Sequence, residues 1–190
     1  MKKTLIILVL IFTLFGCERN YIKDFKIEGI ALGDSLLDKY TKEEILEYQR
    51  DYYPETQFVE SDFYYIDSTF VYEQIAAGYK RDDNKFIVEE ISGYISYKQN
   101  IEDCYPKKEE VVKNLSEVLK ITDWEISNYT DNLGSYDTKY IVLESGVNVT
   151  VSCYDWNKET ETNLGFTDNL SVEITSQEVE EMLRSISKIN

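Results

Sequence analysis

Two pairs of runs rich in aromatic and β-branched residues, each pair joined by a short cluster of turn formers, constrain this chain most. Phe70 to Lys80 and Lys85 to Lys98 flank Arg81-Asp82-Asp83-Asn84. Tyr140–Leu143 and Val147–Tyr154 flank Glu144-Ser145-Gly146. Connections this short join neighbouring strands that run in opposite directions, because a parallel pair needs a crossover of a dozen residues or more. Antiparallel sheet is therefore the expected scaffold. Further extended segments are read at Phe25 to Ile30, which alternates, at 57–67, and at Leu170 to Ile174.

Helix signals fall between these runs. Ser35 with Asp38 and Thr41 with Glu44 are two successive capping-box spacings, which predict a short turn and then a helix over 42–52 that Pro54 ends. Val111, Val112, Leu115, Val118 and Leu119 make an apolar stripe for a helix over 106–120, with Pro106 in its first turn. Thr175 with Glu178 predicts the start of a last helix carrying Val179, Met182, Leu183 and Ile186. Residues 122–137 and 155–168 show no periodicity and read as loops, with Trp124 as a plug. The expected order is β-α-β-β-α-β-β-β-α, an α+β fold of hairpins with about three helices on one face of the sheet. Residues 25–190 form one domain in this reading, and the shared helix-then-hairpin order marks 25–103 and 104–190 as its two candidate subdomains.

The first seventeen residues, MKKTLIILVLIFTLFGC, carry a different message. Lys2 and Lys3 precede an apolar run from Leu5 to Phe15 that is too short for the roughly 20 residues a spanning helix needs. Basic flank and short apolar run are the pattern of a secretion signal. Leu14-Phe15-Gly16-Cys17 resembles the lipobox of bacterial lipoproteins. That resemblance implies cleavage between Gly16 and Cys17, lipid on Cys17, a signal peptide over 1–16 and a tether over 17–24. It also implies a bacterial cell-envelope protein that faces the periplasm and meets its membrane through acyl chains, which hold by about 0.8 kcal/mol per buried CH₂.

The formal charge is −16, from 36 acidic and 20 basic residues, and loss of Lys2 and Lys3 with the leader makes it −18. Such a chain repels phosphate backbones, so nucleic acid is excluded as a partner. Solubility, weak divalent-cation binding and a basic partner, such as another envelope protein, are compatible with it. After lipidation two cysteines remain, Cys104 and Cys153. An oxidising compartment favours a bond between them, closing a 49-residue loop. A free reactive thiol is the other reading, but the usual base is missing because the chain has no histidine. The sixteen tyrosines could stack sugars or grip peptides, but compositional drift in an AT-rich genome, which raises Tyr, Ile, Lys and Asn together, is the simpler explanation.

Motifs that promise chemistry fail on inspection. Gly33-Asp34-Ser35-Leu36 resembles the nucleophile block of the GDSL esterases, which activate the serine with a histidine that this chain lacks. Asp155-x-Asn157-x-Glu159 echoes the start of an EF-hand loop, but Thr160 and Phe166 stand where its glycine and bidentate glutamate belong. Glu89–Glu90, Asp123/Glu125 and Asp155/Glu159 are carboxylate pairs of the kind glycoside hydrolysis uses, and surface solvation accounts for them as well. No cofactor or metal is expected. Gly29-Ile30-Ala31-Leu32-Gly33-Asp34-Ser35-Leu36, Ile91-Ser92-Gly93, Asn100-Ile101-Glu102-Asp103-Cys104 and Cys153-Tyr154-Asp155-Trp156 are similar to segments of a group of small exported proteins of marine α-proteobacteria. That similarity implies a Gram-negative envelope and no particular activity. The expected function is a lipid-anchored, non-catalytic binding or accessory module. The alternative is a carboxylate-dependent hydrolase of envelope glycans.

Overall fold

A computed structural model describes residues 25–65, 70–98 and 100–186. The leader, Gly16, Cys17 and the tether to residue 24 lie outside the described residues. One antiparallel sheet holds eight strands: β1 (Gln49–Arg50), β2 (Phe58–Tyr64), β3 (Gln74–Lys80), β4 (Val88–Ser96), β5 (Glu125–Thr130), β6 (Gly134–Val142), β7 (Asn148–Trp156) and β8 (Asn169–Thr175). Among the described residues there are four α-helices: α1 (Lys42–Glu47), α2 (Cys104–Leu119), α3 (Lys158–Leu164) and α4 (Gln177–Ile186).

The spatial order is β1-β2-β3-β4-β8-β7-β6-β5. One meander runs inward from one edge as β1 to β4, and another runs inward from the opposite edge as β5 to β7. Strand β8 fills the gap, pairing with β4 from Glu90↔Thr175 to Ser96↔Asn169 and with β7 from Asn148↔Thr175 to Tyr154↔Asn169. The sheet is thus continuous between the two stretches 25–103 and 104–190.

Alternation along each strand separates two faces. Ile75, Ala77, Ile91, Val149, Val151, Cys153, Leu170, Val172 and Ile174 point to one side and form the core with Ile27, Ile30, Leu36 and Ile45 from the N-terminal stretch. Helix α2 covers the same side and buries Cys104, Lys108, Val112, Leu115 and Leu119. The Cys104–Cys153 disulfide ties α2 to β7 across this interface, with Cα atoms 6.0 Å apart. Lys108, on the buried stripe, is ion-paired with Asp137 of β6, and a lone ammonium there would carry a large desolvation cost. Trp124 packs against this core and donates its indole N–H to Ser116 Oγ at 2.8 Å.

The mixed α+β class is as expected, but the helix count and strand order differ from the sequence reading. Phe25 to Ile30 is not a strand. Ile27 and Ile30 bond reciprocally across a tight turn at Glu28 and Gly29, both with positive φ, so that both isoleucines are buried. The Thr41–Glu44 capping box forms, but α1 stops at Glu47 rather than 52, because Gln49 and Arg50 turn to pair with Ser61 and Glu60. Residues 125–130, expected as loop, are β5. This strand is polar and exposed on both sides, so hydrophobic period carried no trace of it. Its hairpin turn instead depends on Asp131, which accepts from Leu133 and Gly134 N–H. Gly134 is required there, since a Cβ would sit 2.4 Å from Asp155 O.

Residues 158–164, also expected as loop, are α3, a helix without an apolar stripe. Asn157 caps it by accepting from Thr160 N–H at 3.0 Å, and Gly165, at φ 73°, ends it. The start of α4 is capped by Ser176, not Thr175, whose hydroxyl is engaged with Glu173. The helices are not all on one face either. Helix α4 is tied to the opposite side, with Glu180 accepting from Asn148 and Glu178 paired with Lys80.

Candidate functional site

The face opposite the core is built by the other half of each strand's alternation. Register places Glu60, Gly78, Glu90, Thr175 and Asn148 in one row across β2, β3, β4, β8 and β7. The next row is Asp62, Ala76, Ser92, Glu173 and Thr150, and the next is Tyr64, Gln74, Tyr94, Ser171 and Ser152. Beyond it run Ser96, Asn169, Tyr154, Tyr136 and Tyr129. Odd-numbered residues of β3, β4 and β7 and even-numbered residues of β8 feed the aliphatic core, and the alternate positions of the same strands present acids, hydroxyls and phenols on the other side. Gly78 makes room in this lattice, since a Cβ there would meet Glu90 Cβ at 3.0 Å and Glu90 Oε2 at 3.2 Å.

Three glutamates on this face are set close together by pairing rather than by sequence. Glu60 and Glu90 flank Gly78, and Glu173 is diagonal to Glu90 through the Ser92↔Glu173 pair. Glu90 is 5% exposed and Glu60 7%. Burial is the main reason that all three carboxyls hold their protons more tightly than usual, and repulsion from neighbouring carboxylates, Glu180 in the case of Glu173, adds to it. Glu60 is pushed up to about 7 by burial, by Asp62 and by Glu173, against a hydrogen bond from Tyr53 that favours its charged form. Glu173 accepts from Thr175 Oγ1 at 3.0 Å. Asp62, 2% exposed, accepts from the Tyr52 hydroxyl at 2.5 Å, and burial raises its carboxyl too. The Tyr53 and Tyr94 phenols are held neutral by burial beside these acids.

A cleft of about 730 Å³ opens onto this face. Glu60, Asp62, Gln74 and Asn169 lie on its floor. Its sides are Tyr52 and Tyr53 from the segment after β1, Tyr94, and the Tyr154–Trp156 pair, with Leu164 to Thr167 folded across one end. Tyr154 and Trp156 are stacked at 5.4 Å and 14°, and Phe166 tilts onto Trp156 at 4.8 Å. Lys98 is the one basic residue among the lining groups. Among the described residues, three buried polar atoms have no hydrogen-bond partner, and two belong to this lining: Trp156 Nε1 and Asn169 Oδ1. Leaving such a group unpaired costs about 1–3 kcal/mol, so such groups are few in folded proteins and each calls for a reason.

Most residues that sequence motifs single out lie elsewhere. Ser35 Oγ donates to Lys85 O and accepts from Leu37 N–H, so it caps a 3-10 turn. Asp34 is paired with Lys26. Asn157 is a helix cap, and Asp155 lies on the α2 side of the sheet. Glu125 accepts from Tyr140 at 2.6 Å. Only Glu90 among the paired carboxylates reaches the acidic lattice. Among the described residues, no group of three or more His, Cys, Asp or Glu is placed to hold a metal ion, and no helix is long and apolar enough to cross a membrane. Glu60, Asp62 and Glu173 had no motif. Their signal was alternation: Glu60 and Asp62 fall two apart within 58–64, and polar Asn169, Ser171, Glu173 and Thr175 alternate with Leu170, Val172 and Ile174. Neither protein-family models nor curated proteins nor solved structures give a match to this chain.

Proposed function

We propose that the chain is a lipid-anchored binding or accessory module of the bacterial cell envelope, held through Cys17 after cleavage at Gly16–Cys17, and that it recognises its partner in the cleft on the polar face of the sheet. The observation that carries this reading is the cleft itself. It joins aromatic walls to an acidic floor and includes buried polar atoms whose hydrogen bonds are unmade. Pockets of this kind, mostly preformed with a few convergent polar groups, are the default recognition sites of small domains. Anchoring and recognition are separable. Cys17→Ala should release the protein from washed membranes, and its retention there would overturn the anchor. Acylated protein purified from envelopes should recover a partner in stoichiometric amount, and Trp156→Ala should lose it. Recovery of the same partner by that variant would move the recognition surface elsewhere.

A second reading, a carboxylate-dependent hydrolase of envelope glycans, draws on one feature. Glu60 and Asp62 line the same cleft, and Glu60 keeps its proton to about 7. One protonated and one charged carboxyl are the pair that glycoside hydrolysis uses. Release of reducing sugar from peptidoglycan by the wild type, abolished in Glu60→Gln, would favour this reading over the first.

A further inference from the structure

We propose that the occupant of this cleft is a basic side chain, the ammonium of a lysine or the guanidinium of an arginine, presented by a partner polypeptide. The inference rests on the reading of the cleft as a recognition site and goes on to name the chemistry recognised there. Three observations lead to it. First, the floor holds acids that the chain does not neutralise. Among the described residues neither Glu60 nor Asp62 is in an ion pair with a lysine or arginine; Arg50 favours the charged form of Asp62 without pairing with it, and Lys98 is the one basic residue in the lining. Second, the walls are π faces. Tyr94, Tyr154 and Trp156 line the cleft, and the latter two are stacked nearly parallel. A cation over such rings is attracted by their quadrupole, and a guanidinium also stacks flat on them. Third, the molecule as a whole carries −16, so a basic partner is drawn toward it and an acidic one repelled. An anionic ligand would meet buried carboxyls, whereas a cation seated beside Glu60 and Asp62 would favour their charged forms.

The test uses the chain from Cys17 onward in a Trp124→Phe background. Trp124 lies on the core side of the sheet, so this leaves Trp156 as the single tryptophan reporter. Titration with a tri-arginine peptide at physiological salt should give a saturable change in Trp156 emission. Asp62→Asn, which keeps an acceptor for the Tyr52 hydroxyl, and Glu60→Gln should each weaken binding by roughly tenfold or more, the size expected for losing one partner of a desolvated charge pair. The double variant Glu117→Gln/Asp123→Asn removes exposed acids outside the cleft and should bind as the parent does. Equal weakening by that control would reduce the effect to general attraction and overturn the proposal, as would no response to tri-arginine. A response to a chitin tetrasaccharide instead would overturn the cation while leaving the cleft as a recognition site. An envelope partner whose recovery survives both Asp62→Asn and Trp156→Ala would remove both readings.

Discussion

Glu60 shows how one residue couples the open face to pH. Its carboxyl keeps its proton to about 7 in the folded chain, against an ordinary value of 4.5. Folding therefore takes up protons between these values, and stability falls as pH rises through that window. Moving a carboxyl's midpoint by one pH unit corresponds to about 1.4 kcal/mol, so charged Glu60 opposes folding by up to about 3 kcal/mol once the pH is above 7. Glu90 and Glu173 are displaced in the same direction by burial and act with the same sign. The melting temperature should drop between pH 5 and pH 8, and Glu60→Gln should flatten that slope and leave the variant more stable than the parent at pH 8. A melting temperature that rises across this range, or an unchanged slope in the variant, would contradict the assignment of Glu60 as the titrating group.

At the level of elements, the ends of helices decide more than their middles. Helix α2 ends on Lys120, held at φ 58° and ψ 41° where a side chain is crowded, whereas α3 ends on Gly165 at φ 73°. A glycine in the left-handed position avoids a strain of about 1–2 kcal/mol and gives back part of it as unfolded-state entropy. Lys120→Gly should therefore stabilise by up to about 1 kcal/mol, and Gly165→Ala should destabilise by about 1 kcal/mol, as read by chemical denaturation. Effects of the same sign in both would mean that these ends are not set by backbone conformation. Elements with weak intrinsic signals, β5 and α3, exist because neighbours complete them. Tyr129 of β5 stacks on Tyr136 at 4.3 Å, and Asn157 both caps α3 and donates to Asn132 O at 2.7 Å.

Across the whole molecule, the disulfide is the strongest single constraint. It joins the first residue of α2 to β7 and closes a 49-residue loop that contains β5 and β6. In the chain-entropy account this loop is worth about 4 kcal/mol. Reduction in mild denaturant should lower the unfolding free energy by about that much, and a reduced protein of unchanged stability would contradict the account. The two hairpins, the Val112, Leu115 and Leu119 positions of the α2 stripe (Val118 is exposed), the Thr41 capping box and the Cys104–Cys153 bond were legible in the sequence, the first three because each is written in residues a few positions apart and the last because the lipobox resemblance sets Cys17 aside. The alternation of polar with apolar residues in β8, and the i, i+2 spacing of Glu60 and Asp62 in β2, were also there to be read, but their meaning was not. Which acids meet depends on which strands are neighbours, and β8 inserts between β4 and β7, so that Glu173 comes beside Glu90 and Asn169 beside Tyr154. Local pattern alone was enough to specify an antiparallel α+β chain with an aliphatic side and a polar side. That the polar side closes into an acidic, aromatic cleft came from the assembled fold, because cross-strand neighbours are set by long-range pairing and the packing of α2, not by local spacing.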